Sequence, residues 1–136
     1  MKIERFEDIE AWQVARELTR KIYLATLDGQ FTKDYGLKNQ IQQACGSIMH
    51  NIAEGFDAGS NAEFVKFLRY AKRSCTEVQS QLYVALDQNY LSKKEFDELY
   101  EMAEITRAKI GGFVKYLLEF DSKRKGRPTR DPNREH

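Results

Sequence analysis

Gln40, Ser47, Asn51 and Glu54 recur seven, four and three residues apart in the stretch QIQQACGSIMHNIAEG. On a helix these polar groups share one line, beside an apolar line of Ile41, Ala44, Ile48 and Ile52. Solvated helix faces are usually written in Lys and Glu. Short, directional donors and acceptors on the shoulder of a core stripe suit a packed contact in which every polar group finds a partner. A second polar line, Tyr70, Ser74, Glu77 and Gln81, follows on the next helical stretch. Two roles fit the pair: a solvated flank, or a hydrogen-bonded seam that fixes register within a bundle or between subunits.

The cationic residues form three groups. Lys66, Arg69 and Arg73 make a ridge opposite an apolar stripe, with the spacing of phosphate contacts or of an ordinary solvated face. Arg16 and Arg20 stand near Trp12 and Tyr23 on a second line of the first helix, with Ile9 and Leu27. That line points away from the Ala11/Leu18/Ile22 stripe. A bundle helix needs only one apolar stripe, and Trp, Tyr and Arg are the types that dominate subunit contacts. Trp12 at the margin of a wide core is the other reading. The third group is the end of the chain, Asp121 to His136, with Lys123, Arg124 and Lys125 at its start. It holds six Lys/Arg against three Asp/Glu and no apolar residue. A net charge of +3 there leaves −2 on the preceding 120 residues, for the +1 of the whole. Such a tail does not fold alone. It serves as an electrostatic arm toward a polyanion or as a solubilising terminus.

Catalytic chemistry is not expected. The histidines are His50 and the terminal His136, and His50 falls on a surface position. No Cys/His/carboxylate group has metal-ligand spacing, and no glycine loop follows a strand to cradle phosphate. Ser47 and Ser74 lack a base nearby in sequence. No metal or cofactor is therefore expected. Cys45 and Cys75 fall on apolar stripes, as buried free thiols do. The acidic start MKIERFEDIEAW lacks the apolar centre of a signal peptide, and no apolar run approaches the roughly 18 residues of a membrane span. A cytoplasmic protein without a membrane partner is expected.

Four helices must position these groups. The first is expected over 8–27 with Asp8 as N-cap, closed by Asp28-Gly29. The second is expected over 33–54 with Thr32 as N-cap and Gly55 as the residue after its end. The third opens at the capping box Ser60–Glu63 and ends near Gln88. The fourth opens at Ser92–Glu95 and ends near Phe120. The fourth carries Phe96, Leu99, Ala103, Ile110, Phe113, Leu117 and Phe120 at spacings of mostly three and four. Gly111-Gly112 interrupts it, which means a weakened helix or a close backbone approach. Long helices with short connections predict an all-α, antiparallel up-down-up-down four-helix bundle over 1–120, with a basic flexible tail over 121–136.

Particular runs resemble a known family. Phe6-Glu-Asp-Ile-Glu-Ala-Trp12-Gln-Val-Ala15, Leu37-x-x-Gln40-Ile41, Ser47-Ile48, Asn51-Ile-Ala-Glu54-Gly55, Glu63-Phe64-x-x-Phe67-Leu68 and Ser74-x-x-Glu77 are similar to the four-helix-bundle proteins encoded in intervening sequences of bacterial 23S ribosomal RNA genes. The resemblance covers roughly residues 5–120. It implies a protomer that assembles into a ring, a homopentamer in family members. It also implies kinship with accessory proteins of diversity-generating retroelements, which bind nucleic acid and a reverse transcriptase. Structured RNA or such a nucleoprotein is the partner class it implies, and RNA binding is the role usually proposed. Family members commonly carry Arg-Arg after the Gln-Ile pair, where this chain has Gln42-Gln43. On this reading Arg16, Arg20, Lys66, Arg69, Arg73, Lys123, Arg124 and Lys125 are the nucleic-acid candidates. Trp12, Tyr23, Ser47, Asn51, Glu54, Ser74 and Glu77 are the subunit-interface candidates. A protein-interaction scaffold with no nucleic-acid role is the alternative.

Overall fold

The computed structural model describes residues 2–125, with Lys125 by its backbone alone. Four α-helices follow one another: α1 (Glu10–Ala25), α2 (Tyr35–Phe56), α3 (Asn61–Asp87) and α4 (Lys93–Lys125). Short 3-10 turns at Phe6–Asp8 and Phe31–Lys33 precede α1 and α2. Among the described residues there is no strand. Each helix packs on its neighbour in sequence, and α1 also closes against α4. The result is an up-down-up-down bundle in which α1 lies diagonally across from α3.

The helix ends follow local chemistry, with three differences from expectation. Asp8 does not cap α1. Its carboxylate turns back to accept from the Glu4 and Arg5 amides at 3.1 and 3.3 Å, and Ile9 takes the N-cap position without a side-chain bond. Asp34, rather than Thr32, caps α2 by accepting from the Leu37 amide at 3.1 Å. The Tyr90 hydroxyl then donates to the other Asp34 oxygen at 2.9 Å, tying this end to the α3–α4 turn. Ser60 caps α3 as expected, and at α4 both halves of the Ser92–Glu95 box form. Gly29 takes the positive φ of 52° after α1.

The third difference is Gly55. It lies inside α2, fully packed, rather than beyond its end. A Cβ placed there would come within 2.8 Å of the Phe64 ring and 2.9 Å of Phe67 Cβ. Close approach of α3, and not an unusual φ, is what requires glycine at this position. Gly111 and Gly112 behave oppositely. A Cβ at Gly111 would meet only the Lys72 side chain at ordinary contact distance, and at Gly112 it would meet nothing. No backbone approaches, so α4 simply runs through two residues of low helix propensity.

The core joins the predicted stripes of all four helices. Ala11, Ala15, Leu18 and Ile22 of α1 meet Leu37, Ile41, Ala44, Ile48 and Ile52 of α2. Ala71, Cys75, Val78, Leu82 and Ala85 of α3 close it with Leu99, Ala103 and Ile110 of α4. Ile9, placed by its spacing on the outer line of α1, is buried instead. Phe120, expected in the core, is 43% exposed, and Val114, six residues earlier, takes an inward place. Cys45 and Cys75 are both free and buried, and desolvation pushes each thiol up to about 12. The fourth helix continues past the expected boundary at 120 to Lys125; residues 126–136 of the expected tail lie outside the described residues.

Alanine has opposite expected effects at two glycines. Gly55→Ala should destabilise the bundle by about 1–3 kcal/mol through overpacking against α3. Gly112→Ala should stabilise it by about 1 kcal/mol through helix propensity. Urea unfolding followed by circular dichroism reads both, and two shifts of the same sign would contradict the packing described.

Candidate subunit and nucleic-acid surfaces

The α2 and α3 polar lines meet inside the protomer. Ser74 Oγ donates to Ser47 Oγ at 3.0 Å, and Asn51 Nδ2 donates to Ser47 Oγ at 2.9 Å and to the Ser47 carbonyl at 2.8 Å. Ser47 and Ser74 are therefore engaged across adjacent helices of one chain, and Asn51 joins them from within α2. Glu54 and Glu77 stand exposed beside them. A cleft of about 340 Å³ opens along this seam, lined by Gln40, Gln43, Ala44, Ser47 and Glu77. Gln81, one turn past Glu77, is buried, and its Oε1 has no hydrogen-bond partner among the described residues.

A different face is built by α1 and α2. Trp12 is half-buried, edge-on to Phe6 at 5.2 Å, with the Arg16 guanidinium 5.8 Å from its ring. A cleft of about 690 Å³ runs from Trp12 past Arg16, Arg20 and Met49 to Tyr23. A second of about 460 Å³ continues from Tyr23 across Gln42 and His50. Tyr23 is 46% exposed between them, and Leu24 and Leu27 extend the apolar surface. Arg20 is held by Glu17, one turn earlier, and the guanidinium keeps that carboxyl below the usual carboxylate range.

Gln42 supplies a contact that spacing alone does not reveal. Its Nε2 donates to Thr26 Oγ1 at 2.9 Å, and the Thr26 hydroxyl donates to the Tyr23 carbonyl at 2.8 Å. The end of α1 is thereby stapled to α2. Gln42 thus has a structural role here.

The ridge Lys66, Arg69 and Arg73 lies on the outer face of α3, and its neighbours are aromatic. Lys66 Nζ sits 5.6 Å from the Phe67 ring, Arg73 sits 5.5 Å from Tyr70, and those two rings meet edge-on at 5.9 Å. Lys66 also pairs with Glu63 at 3.2 Å. Among the described residues no carboxylate lies within ion-pairing distance of Arg69 or Arg73. Because α1 and α3 are diagonal, Arg16 and Arg20 point away from this ridge. The expected cationic residues therefore do not form one surface: Arg16 and Arg20 are separate from the α3 ridge. Lys123 and Arg124 stand at a third place, the end of α4, where Arg124 lies 5.8 Å from the Phe120 ring. The Lys125 side chain lies outside the described residues. Spacing places Arg16 beside Trp12, but the rings beside the α3 ridge and Arg124 are not found by a reading centred on charge. Their signal is a ring next to the cation, as at Lys66 and Phe67, or one helical turn before it, as at Tyr70 and Phe120.

Among the described residues no group of three or more His, Cys, Asp or Glu could hold a metal ion, and no helix is long and apolar enough to cross a membrane.

These features define an antiparallel four-helix bundle whose distinctive polar and aromatic groups lie on outward helix faces and along one interhelical seam. The chain belongs to the 23S rRNA-intervening sequence protein family, whose model matches residues 7–112. Its fold is similar to the crystal structure of a protein of unknown function from the S23 ribosomal protein family of Bacteroides thetaiotaomicron. That match has a TM-score of 0.71 at 20% identity and covers 77% of this chain and 98% of the other. No curated protein matches the chain significantly in sequence.

The seam yields a direct test. Ser47→Ala and Ser74→Ala should each cost about 1 kcal/mol, and the double variant should cost less than their sum by about 1 kcal/mol. Chemical denaturation of the four proteins in a double-mutant cycle measures the coupling, and strict additivity would contradict the Ser74–Ser47 bond.

Proposed function

We propose that this protein is a non-enzymatic, cytoplasmic, self-assembling bundle that binds structured RNA, or a nucleoprotein containing it, through the outer face of α3. The observation that carries this reading is the ridge of Lys66, Arg69 and Arg73. Over seven residues it spans about 10 Å of helix. Two of its three cations, Arg69 and Arg73, are without carboxylate partners among the described residues, and the charged heads of Lys66 and Arg73 lie near aromatic rings. Such groups make phosphate contacts that position a nucleic acid without reading its sequence. The family's description, which ties it to 23S rRNA-intervening sequences, makes ribosomal RNA the first ligand to try. A reverse-transcriptase nucleoprotein is the second partner, by the kinship the resemblance implies.

Self-assembly is assigned to the α1/α2 face. Trp12, Tyr23 and Met49 line adjoining clefts there, with Arg16 and Arg20 at their edge. A homopentameric ring is the assembly implied by the resemblance, and five weak ridges would act together through avidity. A protein-interaction scaffold is the second reading. The feature that favours it is the α2/α3 cleft, where exposed Glu77 stands with Gln40, Gln43 and Ser47, one turn before the unpartnered Gln81 Oε1.

Two measurements test this proposal. Anisotropy titration with a structured ribosomal RNA fragment should show affinity falling steeply between 50 and 200 mM salt. Arg69→Ala with Arg73→Ala should flatten the log–log salt slope by about 2 per engaged protomer. No binding even at low salt, with a protein partner captured after nuclease treatment, would favour the scaffold instead. Trp12→Ala should lower the sedimentation mass while leaving helicity nearly unchanged. A loss of helicity at unchanged mass would place Trp12 in the core.

A further inference from the structure

The end of α4 carries an aromatic column that starts at the core edge, where Phe113 meets Phe64 edge-on at 5.2 Å, and then leaves the bundle. Phe113, Tyr116 and Phe120 follow at helical spacing, with ring centroids 6.2 and 6.3 Å apart, and Arg124 lies 5.8 Å from the last ring. Tyr116 is 59% exposed and Phe120 is 43% exposed. The reason is a difference in helix length. Lys109 pairs with Glu10, the first residue of α1, at 3.0 Å. The last turns of α4 therefore run past the end of α1, and that flank has no neighbouring helix. On the other flank Asn61 donates to Asp121 at 3.0 Å, which brings the start of α3 level with the column.

Charge identifies the occupant. Arg124 stands at the end of the column and also lines a cleft of about 540 Å³ with Ser60, Asn61 and Asp121. Lys123 precedes Arg124, and the sequence continues through Lys125, Arg127, Arg130 and Arg134, against Asp131 and Glu135, with no apolar residue. An apolar partner helix would bring nothing for these cations, whereas an extended polyanion with flat faces satisfies both features. We propose that the C-terminal part of α4 is a stacking platform for single-stranded nucleic acid. Unpaired bases lie on Tyr116 and Phe120, and the backbone lies toward Lys123 and Arg124. Tyr116 and Phe120 are near-parallel, 25° between planes. A base slotted between two rings needs about 7 Å, twice the optimal carbon–carbon separation, so a small rotation of either exposed ring admits one. Stacking of this kind tolerates any base.

This inference rests on the nucleic-acid reading of the family member, but places unpaired segments at α4 and structured ones at α3. The test uses full-length protein with a fluorescent 12-nucleotide oligo-U and, separately, a hairpin RNA. Tyr116→Ser and Phe120→Ser, both at exposed positions and leaving every charge in place, should each weaken oligo-U binding roughly tenfold. Hairpin affinity should stay within twofold. Arg69→Ala with Arg73→Ala should do the reverse. Hairpin binding without oligo-U binding would overturn the platform alone. Binding of neither would overturn the platform together with the proposed function. A ring variant that lowers the sedimentation mass, with oligo-U affinity unchanged, would assign the column to self-association and overturn the proposal.

Discussion

The contact between α2 and α3 is the constraint on which the remaining surfaces depend. At Gly55 the helices approach so closely that no side chain fits between α2 and the Phe64 and Phe67 rings. Halfway along, Ser74 donates to Ser47. The glycine sets distance and the serines set register. A slip of one residue would separate the hydroxyls and bring a side chain against Phe64, so both features penalise the same alternatives. With α3 held in that rotation, Lys66, Arg69 and Arg73 face outward. With α2 so held, its other flank meets α1 through Gln42 and Thr26.

Two helices placed on a diagonal cannot share a surface, and this divides the cations by role. Arg16 and Arg20 stay with Trp12 and Tyr23 in the α1/α2 clefts, where one is stacked on a ring and the other is neutralised by Glu17. The α3 ridge keeps more of its charge uncompensated. In the proposed function the ridge on a net-acidic body would concentrate weak phosphate contacts where copies in an assembly add them. In the proposed function the two faces are independent: one meets a neighbour and the other meets a ligand.

Much of the fold was legible because it follows from period. Apolar residues three and four apart in each segment identified the helices, and Ser60 and Ser92 marked two of the starts. What spacing could not supply was three-dimensional relation. Asp8 and Thr32 are the caps that spacing suggests, and the 3-10 turns before α1 and α2 turn Asp8 away from its helix and bring Asp34 to the start of α2 instead. Gly55 reads as a terminator in one dimension and as a contact in three. Phe120 fits the core pattern of α4, but the helix runs past α1, the neighbour that would have covered that flank. The polar lines were visible as lines. That three of their members close on one another within the chain depends on antiparallel register between α2 and α3, which no local signal carries. The α3 ridge was legible as charge, and its separation from Arg16 and Arg20 became visible only with helix order in space.

The central claim is that opposite faces of one bundle do different work. Hydroxyl-radical footprinting with mass spectrometry tests it most directly, because Trp12, Tyr23, Met49, Phe67 and Tyr70 are all oxidisable and occupy known faces. Raising protein concentration should protect Trp12, Tyr23 and Met49, and adding a structured ribosomal RNA fragment at constant concentration should then protect Phe67 and Tyr70. RNA protection confined to Trp12 and Tyr23, with the α3 rings unchanged, would contradict the account.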